Sequence, residues 1–122
     1  MEKTDLNIFI IDDTPEVANT IYEYLLTQGY EHVQTFYEPK KAYQEICRKR
    51  INFNRCVIIT DQRMPEMTGE KLLEFFQSIV PVKGVIITSE PESVTTNIYP
   101  IFEKGSPSFF DKLRRYLENL IG

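Results

Sequence analysis

Histidine, cysteine and glycine are all scarce in this chain, and each scarcity removes a class of chemistry. The single histidine, His32, excludes a His/Cys zinc cluster and an HExxH helix, and any Ser/His/Asp triad would have to be built on that one ring. Placed near a strand start, it reads as a solvated side chain. Two cysteines, Cys47 and Cys56, are too few for a disulfide scaffold and lack metal-ligand spacing, which leaves reduced thiols, buried or half-buried. The five glycines, Gly29, Gly69, Gly84, Gly105 and Gly122, are too dispersed to form GxGxxG or GxxxxGK(S/T), so dinucleotide and P-loop nucleotide binding are both disfavoured.

Long apolar runs are missing as well. Ile8-Phe9-Ile10-Ile11 falls far short of the roughly 20 residues that span a bilayer, and Met1 to Asp5 contains no apolar signal core, so a cytoplasmic protein without membrane contact is expected. Basic residues do not dominate either. The balance of 14 Lys+Arg against 18 Asp+Glu, a net charge of -4, argues against a surface that must neutralise several phosphates, and no direct nucleic-acid binding is expected. What is present is a chain of 122 residues, 42% hydrophobic and 26% charged, the size and mixture of one globular domain, residues 1–122, with no room for a second core.

Short β-rich runs alternate with longer amphipathic segments, the pattern of an α/β fold with a parallel sheet. Leu6 to Ile11 reads as a strand buried on both faces and stops abruptly at Asp12-Asp13. Thr14 as N-cap and Pro15 in the first turn open a helix marked by Val17, Ile21, Tyr24 and Leu25, with Gly29 as its stop. A second strand runs from His32 to Phe36. Pro39 opens a second helix with Ala42, Tyr43, Ile46 and Cys47 on its apolar side, and Arg48-Lys49-Arg50 reads as its solvated terminus. Cys56 to Thr60 is the third strand, ending at Asp61; Gln62 to Thr68 form a loop, and Gly69 leads into a helix with Leu72, Leu73, Phe76 and Ile79 on one face. Gly84 to Thr88 is the fourth strand. After a polar stretch, Ser89 to Asn97, a weaker fifth strand spans Ile98 to Phe102, where Pro100 suits only a sheet edge. Pro107 starts a last helix with Phe109, Phe110, Leu113, Tyr116, Leu117 and Leu120 inward.

Ligands of an open parallel sheet bind beyond the carboxyl ends of its strands. Here those ends carry Asp12-Asp13, Asp61, Thr88-Ser89 and, after the fifth strand, Lys104. If strands one, three and four are neighbours, three carboxylates, a hydroxyl and an ammonium converge on one crevice. Unpaired carboxylates so close would repel, and a hard divalent ion relieves that repulsion economically. Mg²⁺ takes oxygen ligands, keeps waters and is commonly held by a few carboxylates together with phosphate oxygens. The pattern points to a phosphoryl group and Mg²⁺ bound together.

Ile8-Phe9-Ile10-Ile11-Asp12-Asp13, then Ile58-Ile59-Thr60-Asp61-Gln62-Arg63-Met64-Pro65-Glu66-Met67-Thr68-Gly69, then Val85-Ile86-Ile87-Thr88-Ser89, then Lys104 resemble the ordered signature of the receiver domain of two-component response regulators. The resemblance covers essentially the whole chain, and an acid followed by Met-Pro-x-Met-x-Gly at this offset is its most specific part. It implies a flavodoxin-like, doubly wound five-stranded parallel sheet in the order 2-1-3-4-5. It further implies that Asp61 is the phosphoacceptor and that Asp13 ligates Mg²⁺ directly (Mn²⁺ as a substitute). Asp12 would act through bound water, and the Arg63 main-chain carbonyl would complete the protein ligands. Thr88 would move to the phosphoryl group and Lys104 would pair with it. The implied partners are a histidine kinase or histidine phosphotransfer protein as donor and a downstream protein as target, with a homodimer as a further option.

The sequence departs from the family pattern in two places. Sixteen positions separate Thr88 from Lys104, fewer than receivers usually carry, and Pro91, Pro100 and Val94-Thr95-Thr96 disfavour a long helix there, so the fourth helix is expected to be shortened or irregular. Three positions before the lysine, where the family usually has an aromatic, stands Ile101; Tyr99 shares its face, while Phe102 points the other way. The expected protein is a stand-alone switch rather than an enzyme, assisting only its own phosphorylation and dephosphorylation. Two other readings compete: a constitutive interaction module of the same fold, and an aspartate-based phosphatase. The second is disfavoured because Arg63 occupies the position where such enzymes carry a second acid.

Overall fold

The computed structural model describes residues 1–122. Strands β1 (Asn7–Ile11), β2 (His32–Phe36), β3 (Cys56–Asp61), β4 (Lys83–Thr88) and β5 (Ile101–Glu103) form one parallel sheet in the order β2-β1-β3-β4-β5. Helices α1 (Pro15–Thr27), α2 (Pro39–Cys47), α3 (Gly69–Gln77) and α4 (Phe109–Ile121) cover its two faces. The expected doubly wound order is the observed one. No helix is long and apolar enough to cross a membrane.

Strand alternation divides the core into two layers. Ile8, Ile10, Val57, Ile59, Val85 and Ile87 face α1 and α4, where they meet Ala18, Ile21, Leu25, Leu113 and Leu117. Phe9, Ile11, Ile58 and Ile86 face α2 and α3 and pack on Ala42, Ile46, Leu72, Leu73 and Phe76. The central strands read as unbroken apolar runs because both faces are covered, each buried aliphatic side chain contributing about 1.5–3 kcal/mol of transfer free energy. His32 is exposed at the start of β2, and Cys56 is buried while Cys47 is half-buried.

Four local expectations are corrected. Strand β5 begins at Ile101, not Ile98, which is 74% exposed. Pro100 has no N–H to donate, but its carbonyl accepts from Ile86 N at 2.9 Å, so pairing begins there on the acceptor side alone. Ile79 lies beyond the end of α3 and is exposed, because Ile79 N and Val80 N both turn back to the Phe76 carbonyl and end the helical face. Helix α4 starts at Phe109 rather than Pro107. Thr14 precedes α1 in extended conformation without a side-chain cap; Asp12 Oδ1 instead accepts from Thr14 N at 2.9 Å.

The connection from β4 to β5 holds no α-helix. A single 3₁₀ turn, Pro91–Ser93, is its regular part, in keeping with the expected shortening. Tyr99 is buried on the same side of the sheet as Ile101, with its hydroxyl donating to Gln77 Oε1 at 3.1 Å, whereas Phe102 packs on the opposite side with its ring 6.0 Å from that of Tyr116.

Candidate functional site

Parallel strands deliver their last residues to one edge, and β1, β3 and β4 are neighbours. Asp12 follows Ile11 at the end of β1; Asp61 is the last residue of β3, paired with Ile87, and Thr88 comes next on β4. Carboxylate oxygens of Asp12, Asp13 and Asp61 lie within 4.8 Å of one another. Asp12 is fully buried, Asp61 is 7% exposed and Asp13 faces solvent.

Lys104 spans the first and third of these acids, its Nζ 2.7 Å from Asp12 Oδ2 and 3.0 Å from Asp61 Oδ1. Its position is set from the sheet: Lys104 N donates to the Thr88 carbonyl at 2.9 Å. One ammonium among three carboxylates leaves two negative charges unbalanced. The imbalance is visible in the titration of Asp61, whose carboxyl is pushed up to about 6, first by burial and then by the Asp12 charge, with Lys104 and the Gln62 N–H acting against them. Lys104 itself is held above its ordinary value: burial opposes its charge, but Asp12 and Asp61 outweigh that.

The two oxygens of Asp61 differ. Oδ1 accepts from Gln62 N at 2.9 Å and faces Lys104. Oδ2 has no protein donor, yet it is not among the buried unpartnered atoms, of which Tyr30 Oη is the single example; it therefore reaches solvent. Thr88 is buried, and its Oγ1 accepts from Glu90 N at 3.0 Å. The Arg63 side chain is exposed in an ion pair with Glu90, 2.8 Å apart, while its backbone forms a bridge with Thr68 and its carbonyl takes no backbone donor.

The loop after β3 is tightly drawn. Thr68 Oγ1 accepts from Lys71 N at 3.2 Å and starts α3, and Glu66 takes a left-handed φ of 79°, a conformation that costs a non-glycine residue about 1 kcal/mol or more. Gly69 passes so close to β3 that a Cβ there would run into the Asp61 carbonyl oxygen and lie 3.0 Å from Thr60 Cγ2. Gly69→Ala is accordingly expected to cost about 1–3 kcal/mol, as overpacking against rigid backbone does. Urea denaturation measures the loss, and an unchanged midpoint would contradict this account of the loop.

All the residues singled out from the sequence, Asp12, Asp13, Asp61, Arg63, Thr88 and Lys104, thus lie at one edge of the sheet. Two others join them unforeseen. Gln62 is 2% exposed and its side chain is fully committed to Glu70 and Ser93. Glu70 in turn binds Thr95 and is held below the usual carboxylate range; burial raises it, but the Thr95 and Gln62 donors prevail. Their only sequence signal was position, Gln62 directly after Asp61 and Glu70 in the first turn of α3.

An acid cluster with one lysine at the carboxyl edge of a doubly wound sheet defines a receiver-type site. The family model described as response regulator receiver domain matches residues 8–113, and the chain belongs to that family. It is 28% identical over 112 residues to the two-component response regulator ORR1 of Oryza sativa subsp. japonica, covering 86% of this chain and 48% of the relative. With ORR3 of Oryza sativa subsp. indica it shares 30% over 107 residues, 87% of this chain and 79% of that one. The chain thus spans about half the length of ORR1. Among solved structures, the response regulator protein TrrA from Thermotoga maritima in complex with Mg²⁺-BeF superposes with a TM-score of 0.75 at 20% identity, covering 94% of this chain and 98% of that one. The Erythrobacter litoralis PhyR receiver domain gives 0.76 at 16%, covering 96% and 90%. At those identities the likeness is one of fold.

Proposed function

We propose that this receiver domain, residues 1–122, is a cytoplasmic phosphorylation-dependent switch in which Asp61 accepts a phosphoryl group in the presence of Mg²⁺ and thereby alters binding to a protein target. The observation that carries the reading is the asymmetry of Asp61: Oδ1 is held by Gln62 N and Lys104, and Oδ2 alone is free to attack. In the transfer, Oδ2 forms the new bond to phosphorus while the bond from phosphorus to the donor's imidazole nitrogen or acyl oxygen breaks. The leaving group departs with its electron pair.

The donor set fits a hard divalent ion, being entirely oxygen and two charges short of balance. Asp13, Asp61 and the Arg63 carbonyl would hold Mg²⁺ or Mn²⁺ directly, with Asp12 behind them through water. When bound, the ion supplies the positive charge that lets an anionic phosphoryl group approach an anionic nucleophile. Lys104, already placed between two carboxylates, pairs with a phosphoryl oxygen, and the Thr88 hydroxyl turns from Glu90 N to donate to another. Both act by charge stabilisation and positioning. A histidine kinase or histidine phosphotransfer protein is the donor this chemistry suits.

Incubation with acetyl phosphate and Mg²⁺ tests the assignment by intact mass. Wild type is expected to gain one phosphoryl group and Asp61→Asn none. No gain in wild type, with folding and Mg²⁺ binding intact, would favour a constitutive interaction module.

A further inference from the structure

The stretch from Ser89 to Pro100 lacks its helix but is firmly tied down. Glu70 accepts from Thr95 N at 2.7 Å on Oε1, from Thr95 Oγ1 at 2.9 Å on Oε2, and from Gln62 Nε2 at 2.8 Å on Oε1. Gln62 Nε2 also donates to the Ser93 carbonyl at 3.2 Å, and Gln62 Oε1 accepts from Glu70 N at 3.1 Å. The Gln62 backbone N–H donates to Asp61 Oδ1 at 2.9 Å. An unbroken chain of hydrogen bonds therefore runs from the Asp61 carboxylate through Gln62 and Glu70 to Thr95.

This chain has no slack. Gln62 is buried, both its side-chain donors and its acceptor are used, and its carbonyl accepts from Gly69 N at 2.9 Å. Esterifying Asp61 turns a carboxylate into an acyl phosphate, so Oδ1 loses most of its charge and phosphoryl oxygens compete for the nearby donors. The Gln62 peptide can follow them only by moving an amide locked to Glu70 and Ser93. Resting on the phosphoacceptor reading of Asp61, we propose that Glu70 is a positioning residue that latches the Ser89–Asn97 segment to the loop carrying Asp61, so that phosphorylation and release of that segment are coupled. Glu70 touches no reacting atom; it acts through Gln62. Coupling of this kind is reciprocal, so loosening the latch must favour the phosphorylated state by the factor with which phosphorylation loosens the latch.

The test uses the full 122-residue chain with Mg²⁺ and beryllofluoride. Occupancy of Asp61 is followed by fluorine NMR and the Thr95 amide by hydrogen exchange, since that N–H is donated directly to Glu70. In wild type, protection of the Thr95 amide is expected to fall when beryllofluoride saturates Asp61. In Glu70→Ala, which removes both acceptor oxygens, it is low from the start, and beryllofluoride binds about fivefold or more tightly, within the usual range of allosteric coupling. Thr95→Val, which loses only the hydroxyl bond, is expected to lie between. A saturated wild type with Thr95 still protected, or unchanged beryllofluoride affinity in both variants, would overturn the latch while leaving the phosphoacceptor role standing. Absence of any adduct at Asp61 would overturn both.

Discussion

Replacing Lys104 by methionine is expected to destabilise the chain by about 3 kcal/mol or more at neutral pH, the largest effect of any single change at the site. Breaking a buried ion pair by removing one partner costs about 3–5 kcal/mol, because the surviving charge is stranded away from water. Asp12 has no exposure at all, and Lys104 Nζ at 2.7 Å is its one cationic partner. Methionine preserves the length and most of the packing of the lysine stem, so the loss reports charge rather than volume. The double variant Lys104→Met with Asp12→Asn should recover much of the difference, since an amide carries no charge to strand. Saturating Mg²⁺ should also narrow it, by supplying positive charge to the same carboxylates. Urea denaturation with and without Mg²⁺ measures all of these. A Lys104→Met midpoint equal to wild type would mean that the ammonium is not what balances Asp12.

Most of this architecture could be read from local pattern because the physics that sets it is local. Ile8 to Ile11 and Val57 to Thr60 are buried on both sides and therefore appear as unbroken runs, and their ends are marked by the acids that the sheet edge gathers. Pattern failed where a local signal was followed past its physical limit. The apolar period of α3 reaches Ile79, but the carbonyl of Phe76 already collects Ile79 N and Val80 N, which turns the chain away. Pro100 looks like a strand residue by its neighbours and like a breaker by its missing N–H; half of it pairs, through the carbonyl. The Gln62, Glu70 and Thr95 network was out of reach for a different reason. Its members lie 8 and 25 positions apart, on a loop, a helix start and an irregular segment, and no periodicity links such elements. Ile101 and Tyr99, by contrast, were placed on one face by alternation alone, and the extended chain keeps that alternation although β5 itself begins only at Ile101.

Asp61→Asn is expected to abolish phosphoryl uptake and, in chelator at about pH 8, to raise stability by about 2–3 kcal/mol. The sign follows from the direction of the shift. The folded chain holds the Asp61 carboxyl at about 6, above its ordinary 3.8, so folding favours the protonated acid. Wild type is then at its relative best below the unfolded value, loses stability as pH rises from about 4, and has lost all of this contribution once pH passes about 6. Asparagine carries no such titration. The advantage of the variant should therefore vanish toward about pH 4 and reach its full size above about pH 6, and thermal melts across that window measure it. Mg²⁺ should reverse the order. An ion that binds only the folded state at about 100 times its dissociation constant adds about 2.7 kcal/mol, and because it competes with the proton on Asp61 the gain should grow as pH rises through about 6. Asp61→Asn, with one ligand charge fewer, should gain much less. Equal melting temperatures for wild type and Asp61→Asn at about pH 8 in chelator would show that the Asp61 charge is not disfavoured by its burial and by Asp12. The expected opposite result ties the chemistry to its cost: the burial and the neighbouring Asp12 charge that weaken the metal-free fold are what leave the Asp61 charge uncompensated and ready for a metal ion and a phosphoryl group.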